Sequence, residues 1–242
     1  MFKIIRNILL SVALASSLNA AQNLPDSEIK DIQNLQLFKR AQVKVIQGYD
    51  AGSVYLLNVE VQGRADKIFL TRDKKYLIAG DVISTKNGQP LEVPVDLAPT
   101  IGKEAFTFGT GKDEYVLFTD PECPYCKKFE EHFPKIEDKV KIRVFYFPLD
   151  FHKNAKDISL YVMSQKTYKD KVHAMINTNA NTQAFKDRKY DKGELDKLQK
   201  HLDSQLEAAK KLGIRGTPSV YDKDGNKVVW AAMLKKYGVN IQ

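Results

Sequence analysis

The 242-residue chain has two cysteines, three apart, in Cys123-Pro124-Tyr125-Cys126. Side chains at i and i+3 share a helix face, so in a helix's first turn this spacing puts two sulfurs within reach of a disulfide that can form and break. As a structural staple the bridge would do little, because the stabilisation from a cross-link grows with the loop it closes. A zinc site usually wants four ligands, and nearby only His132 and acidic side chains are on offer. The N-terminal cysteine lies where free N–H groups and the positive end of the helix dipole favour a thiolate, lowering its pKa from about 8.5. Cys123 is therefore expected to attack. Cys126, one turn further in and more buried, is expected to resolve the mixed disulfide. Between them, Pro124 brings no N–H while Tyr125 and Cys126 do. Glu122 opposes the thiolate if its carboxylate points that way, and Lys127 and Lys128 favour it.

The elements that must hold this pair are legible on either side. Tyr115 to Thr119 reads as a buried strand ended by Asp120-Pro121. A helix follows, with Pro124 near its first turn and Phe129, Phe133, Ile136 and Val140 marking its buried face. Lys141 to Phe147 is the next strand, which makes a strand-helix-strand unit. Residues 152–212 read as a helical insertion, with Ile158, Tyr161 and Val162 on one helix, Val172, Met175 and Ile176 on a second, and Leu195, Leu198, Leu202 and Leu206 on a third. Ser219 to Asp222, a turn at Asp224-Gly225-Asn226, and Lys227 to Trp230 form a hairpin, with a terminal helix from about Ala231.

Ahead of this lies a smaller module. Pro25 to Glu28 opens an amphipathic helix with Ile29, Ile32 and Leu35 on one face, capped by Asp26 or Ser27. Tyr55, Leu57, Val59 and Val61 then alternate with a period of two, and turns at Gln62-Gly63, Arg72-Asp73 and Asn87-Gly88 separate short strands at Ile68 to Leu70 and Tyr76 to Ile78. Its core is small, so it is expected to pair with something. Pro90, Pro94 and Pro99 punctuate the next stretch of chain and predict a stiff, semi-extended connection.

At the start, Lys3 and Arg6 precede an apolar run from Ile8 to Leu14 and small residues through Ala21, the pattern of a secretory signal peptide. Its apolar core is too short to span a bilayer, and the mature chain is expected to be soluble. Exported proteins use cysteines mostly as cross-links, so an isolated close pair is informative. The formal charge of +8 falls to +6 without Lys3 and Arg6 (8 − 2), and the lysines are interleaved with Asp and Glu. That reads as a solvated face; no basic block or aromatic-basic motif points to nucleic acid.

The segment Val116-Leu117-Phe118-Thr119-Asp120-Pro121-Glu122-Cys123-Pro124-Tyr125-Cys126-Lys127-Lys128-Phe129, with the later Gly216-Thr217-Pro218, resembles the bacterial periplasmic disulfide isomerases of the DsbC/DsbG type, in the thioredoxin superfamily. Glutaredoxins carry the same tetrad, but they are short cytosolic domains without a leading module. The chain is thus expected to be α+β, with a signal peptide over 1–20, a small antiparallel α+β domain over 21–95, a linker over 96–111 whose prolines depart from the helical linker typical of that family, and a domain over 112–242 with a helical insertion at about 152–212. The resemblance implies that the first domain dimerises and the second is a thioredoxin-like catalytic domain. In such a fold Pro218 would be a cis proline facing the cysteines, exposing the Thr217 backbone for strand-like pairing with substrate; the plainer alternative is a trans proline opening an edge strand. The resemblance further implies a periplasmic homodimer that reshuffles disulfides of misfolded or newly exported proteins through Cys123, kept reduced by a DsbD-like membrane electron donor. No cofactor or metal is required. Two rivals stay open: a DsbA-like oxidase using the same residues in reverse, and a holdase chaperone with secondary redox activity. Thioredoxin and DsbA-type oxidases place a buried carboxylate six residues before the first cysteine. Here that position is Leu117, which leaves water or Glu122 as the local bases for Cys126. His132, His152, His173 and His201 are expected to be surface or half-buried histidines.

Overall fold

A computed structural model describes residues 22–85 and 90–241. The signal-peptide segment and the Asn87-Gly88 turn lie outside the described residues. The chain divides into two compact units between Ile83 and Ser84. No helix among the described residues is long and apolar enough to cross a membrane.

The first unit is one antiparallel sheet with two helices. Its elements are β1 (Gln22–Asn23), α1 (Asp26–Gln33), α2 (Gln36–Arg40), β2 (Val43–Asp50), β3 (Val54–Val61), β4 (Arg64–Thr71) and β5 (Leu77–Ile78), with the strands in chain order. The turn from β3 to β4 closes on two residues of positive φ, Gln62 and Gly63, which matches the right-handed twist of the strands it joins. Ile32 and Phe38 from the helices meet Val45, Tyr55, Leu57, Val59 and Leu70 from the sheet in a small core. Two details differ from the sequence reading. Pro25, not Asp26 or Ser27, caps α1, with no side-chain hydrogen bond. The Gln33 side chain donates to the Val43 carbonyl and accepts the Val45 N–H, bracing β2 just before its register shifts.

The second unit is a mixed sheet between helices. Its strands are β6 (Phe106–Phe108), β7 (Asp113–Thr119), β8 (Val140–Tyr146), β9 (Ser219–Asp222) and β10 (Lys227–Val228), ordered β10-β9-β7-β8-β6; β7 and β8 are parallel and the other pairs antiparallel. Helix α3 (Pro124–Glu130) crosses from β7 to β8. Four helices, α4 (Ala155–Ser164), α5 (Tyr168–Asn177), α6 (Gln183–Lys186) and α7 (Lys192–Lys211), occupy the expected insertion, and α8 (Trp230–Lys236) ends the unit. Central strand β7 is buried on both faces. Leu117 points into the larger core with Phe129, Phe133, Ile142 and Val144, and Val116 and Phe118 into a second one with Phe145, Ile214 and Tyr221.

The linker expected over 96–111 is not a linker. Residues 98–100 form a 3-10 turn, and Phe106–Phe108 pairs with β8 as the edge strand, both phenylalanines buried. Prolines exclude a helix here but leave an edge strand free. Past β6 the chain presses against the start of β8, where a Cβ on Gly111 would collide with the Lys139 carbonyl carbon. The cysteine helix is also shorter than its apolar spacing predicted. It ends at Glu130, and Phe133 and Ile136 reach the same core from a 3-10 turn built on Pro134, with Val140 already in β8.

Candidate active site

The turn from β7 into α3 is organised by Asp120, a fully buried carboxylate. Its Oδ1 accepts the Glu122 N–H at 2.7 Å, and its Oδ2 accepts the Leu149 N–H at 2.7 Å and His152 Nδ1 at 2.9 Å. The Asp120 carbonyl accepts the Cys123 N–H. This fixes Cys123 as the N-cap of α3, with Pro124 at the first helical position, where its missing N–H costs nothing.

Both thiols are free; Cys123 is 5% exposed and Cys126 wholly buried. The Cys123 pKa is pulled down to about 5, first by a hydrogen bond from the Cys126 thiol and also by the backbone N–H groups of Cys126 and Tyr125, against the opposing effect of burial. The Cys126 pKa is pushed up, first by burial, then by Cys123 and the charge on Glu130. One pair of sulfurs therefore has unlike states: a thiolate at the helix N-terminus and a thiol one turn below it. Cys123 Sγ lies 3.4 Å from the Thr217 carbonyl oxygen, and the Thr217–Pro218 peptide is cis. These four residues, placed nearly a hundred positions apart, meet at one point. Tyr125 stands at the rim, 66% exposed.

The charged neighbours do not all act as the sequence suggested. Glu122 turns away from Cys123, its carboxylate accepting the backbone and side-chain amides of Asn154. Lys127 folds inward, donating to the Met175 carbonyl at 2.6 Å and standing 4.0 Å from Glu130 Oε2. Its pKa is lowered by burial and partly restored by Glu130. Leu117 is a core residue, as its type requires, yet a buried carboxylate is present: Glu130, 1% exposed, accepts the Thr119 hydroxyl. Burial raises its pKa to about 7 against the pull of Lys127 and Thr119. The sequence signal for it was the i, i+4 spacing from Cys126, obscured by the run Lys127, Lys128, Glu131, which reads as a solvated face. His152 was also missed as a partner of Asp120, since nothing local links the two. Among the described residues no cluster of three or more His, Cys, Asp or Glu side chains is placed to hold a metal.

A thioredoxin-like domain family matches residues 108–234. No curated protein matches the chain. Among solved structures, the catalytic domain of Proteus mirabilis ScsC is similar at 23% identity, covering 58% of this chain and 91% of that one, with a TM-score of 0.41. Helicobacter pylori DsbG is 12% identical over 82% of this chain and 100% of that one, with a TM-score of 0.40. A thioredoxin-like oxidoreductase from Silicibacter pomeroyi is 19% identical over 59% of this chain and 94% of that one, with a TM-score of 0.44.

Proposed function

Because the chain belongs to the thioredoxin-like domain family, we propose that it is an exported thiol-disulfide oxidoreductase that acts as a disulfide isomerase or reductase on misfolded or newly exported proteins. The observation that carries this reading is the asymmetry of the pair: a Cys123 thiolate at the N-terminus of α3 and a Cys126 thiol one turn beneath it. Cys123 attacks a client disulfide and forms a mixed disulfide. The client then either rearranges and expels Cys123, which is isomerisation, or Cys126 displaces it as a thiol, which is reduction. Thr217 and Pro218 are the client-binding residues. The Thr217 backbone beside Cys123 offers strand-like hydrogen bonds to an extended chain without regard to its side chains.

Direction is the finer part of the proposal. A stabilised thiolate favours the dithiol form, which an isomerase needs and which a DsbD-like membrane donor would maintain. The same stabilisation makes the disulfide form a good oxidant, so the low Cys123 pKa also favours a second reading, a DsbA-like oxidase. Periplasmic location and a homodimer built through the first unit belong to the same proposal. The small core of that unit supports pairing.

The test is recovery of activity from a scrambled multi-disulfide substrate. The wild-type protein restores activity and Cys123→Ala does not; equal recovery by both would sink the proposal. Thiol trapping in the compartment separates the directions, with Cys123 and Cys126 found mainly as dithiol for an isomerase and mainly as disulfide for an oxidase.

A further inference from the structure

Beneath the sulfurs lies a group of buried polar atoms to which disulfide exchange itself gives no task. Glu130 and Cys126 are both buried and four residues apart on α3, so they share a helix face. Glu130 Oε1 accepts the Thr119 hydroxyl at 2.5 Å, whereas Oε2 has no hydrogen-bond partner. Thr119, the last residue of β7, is fully buried too, and its hydroxyl lies against the Cys126 thiol, where it favours the thiolate. An ionised carboxylate can only accept hydrogen bonds. While Cys126 is a thiol, Thr119 donates to Glu130 and its oxygen lone pairs are free to accept from the S–H; once Cys126 is a thiolate, the same hydroxyl can turn and donate to it, which is how it favours that form.

We propose that Thr119 and Glu130 form the proton path of the resolving cysteine, Thr119 relaying and Glu130 receiving the proton that Cys126 must lose. The proposal rests on the exchange reading and assigns residues to its second step. In the mixed disulfide, Cys126 passes its proton to Thr119 Oγ1 as Thr119 passes its own to Glu130. The Cys126 thiolate attacks Cys123 Sγ; the Cys123–Cys126 bond forms, the bond to the client sulfur breaks, and its electron pair leaves on the client thiolate. The pair is oxidised and the client sulfur reduced. The client thiolate takes a proton from solvent, and Glu130 returns its own to solvent as it re-ionises. Thr119 is a relay and Glu130, acting through it, a positioning residue. Both stand where Leu117 supplies no acid or base.

The groups that face Glu130 set the pH at which it works. Lys127 and Thr119 favour its ionised form; burial, Cys123 and Asp120 oppose it, and Tyr146 of β8, buried with its hydroxyl unpartnered, also feels its charge. With the carboxyl at about 7, the release step should rise with pH through that region.

The experiment uses the full chain with glutathione disulfide as the probe, following capture of the glutathionyl group on Cys123 and then its release. Glu130→Gln and Thr119→Val should lower the ratio of release to capture by about a hundredfold, the lower end of the range for lost acid-base assistance. Thr119→Ser should restore it. Lys127→Met, which removes the cation beside Glu130, should move the midpoint of the release profile to higher pH. An unchanged ratio in Glu130→Gln and Thr119→Val overturns the proposal. So does a Lys127→Met midpoint that stays in place, a result that remains readable if Glu130→Gln fails to fold. Absence of any Cys123 adduct in the wild-type protein overturns the exchange reading itself, and the proton path with it.

Discussion

Cys123 is a thiolate near neutral pH because of its neighbour more than its helix. The largest contribution to its lowered pKa is the hydrogen bond from Cys126, so the pair must be described together. Alkylation of the reduced protein should show a Cys123 midpoint at about 5, and Cys126→Ala should move it up toward the ordinary value, about 8.5. The same shift couples redox state to stability. Cys123 has a folded-state pKa below its unfolded value, so its contribution is complete above about 8.5 and is lost as pH falls through about 5. Cys126 is shifted the other way, so its contribution is present below its unfolded value and declines above it. The disulfide form carries neither group. The melting temperature of the dithiol form relative to the disulfide form should therefore climb from about pH 5 to about pH 8.5 and then fall; scanning calorimetry of the two forms across pH would check it, and a flat difference would contradict it.

At the level of elements, the site depends on the loop that joins β7 to α3 and on what that loop grips. Asp120 accepts three hydrogen bonds from a fully buried position, two of them from the segment after β8. Asp120→Ala would leave those donors unpaired and should cost roughly 3 kcal/mol, seen as a lower urea midpoint together with a raised Cys123 pKa as the helix start loosens. Gly111→Ala tests the crossing of β8 independently. Its Cβ meets Lys139 backbone, so a loss of roughly 2 to 4 kcal/mol is expected without a change at Cys123. The contrast between these positions also explains what could be read from sequence. The cysteine pair, the strands around it and the closing hairpin were legible because each is announced within a few residues, by spacing, alternation or a turn. Strand β6 was not, since Phe106-Thr107-Phe108 is too short for its alternation to outweigh the prolines before it, and it becomes a strand only by pairing with β8. Glu130 and the Asp120–His152 contact were hidden for a related reason. A charged residue among charged residues looks solvated until the sheet that buries it is in place.

For the whole molecule, a small first unit and a larger second unit make unequal demands. Among the described residues, the core cluster of the first gathers eight buried side chains, few for an independent module, which is why pairing with a second copy is part of the proposed function. The protein should accordingly run as two chains in sedimentation, and a single-chain mass would remove the homodimer from the proposal while leaving the cysteine chemistry untouched. That chemistry is the central claim, and the most direct measurement of it is the covalent intermediate. Cys126→Ala, incubated with glutathione disulfide or a disulfide-containing client, should accumulate a mixed disulfide on Cys123 that is visible by mass spectrometry and removed by dithiothreitol, while the wild-type protein passes through it. Failure of Cys123 to form any adduct in that variant would contradict the account.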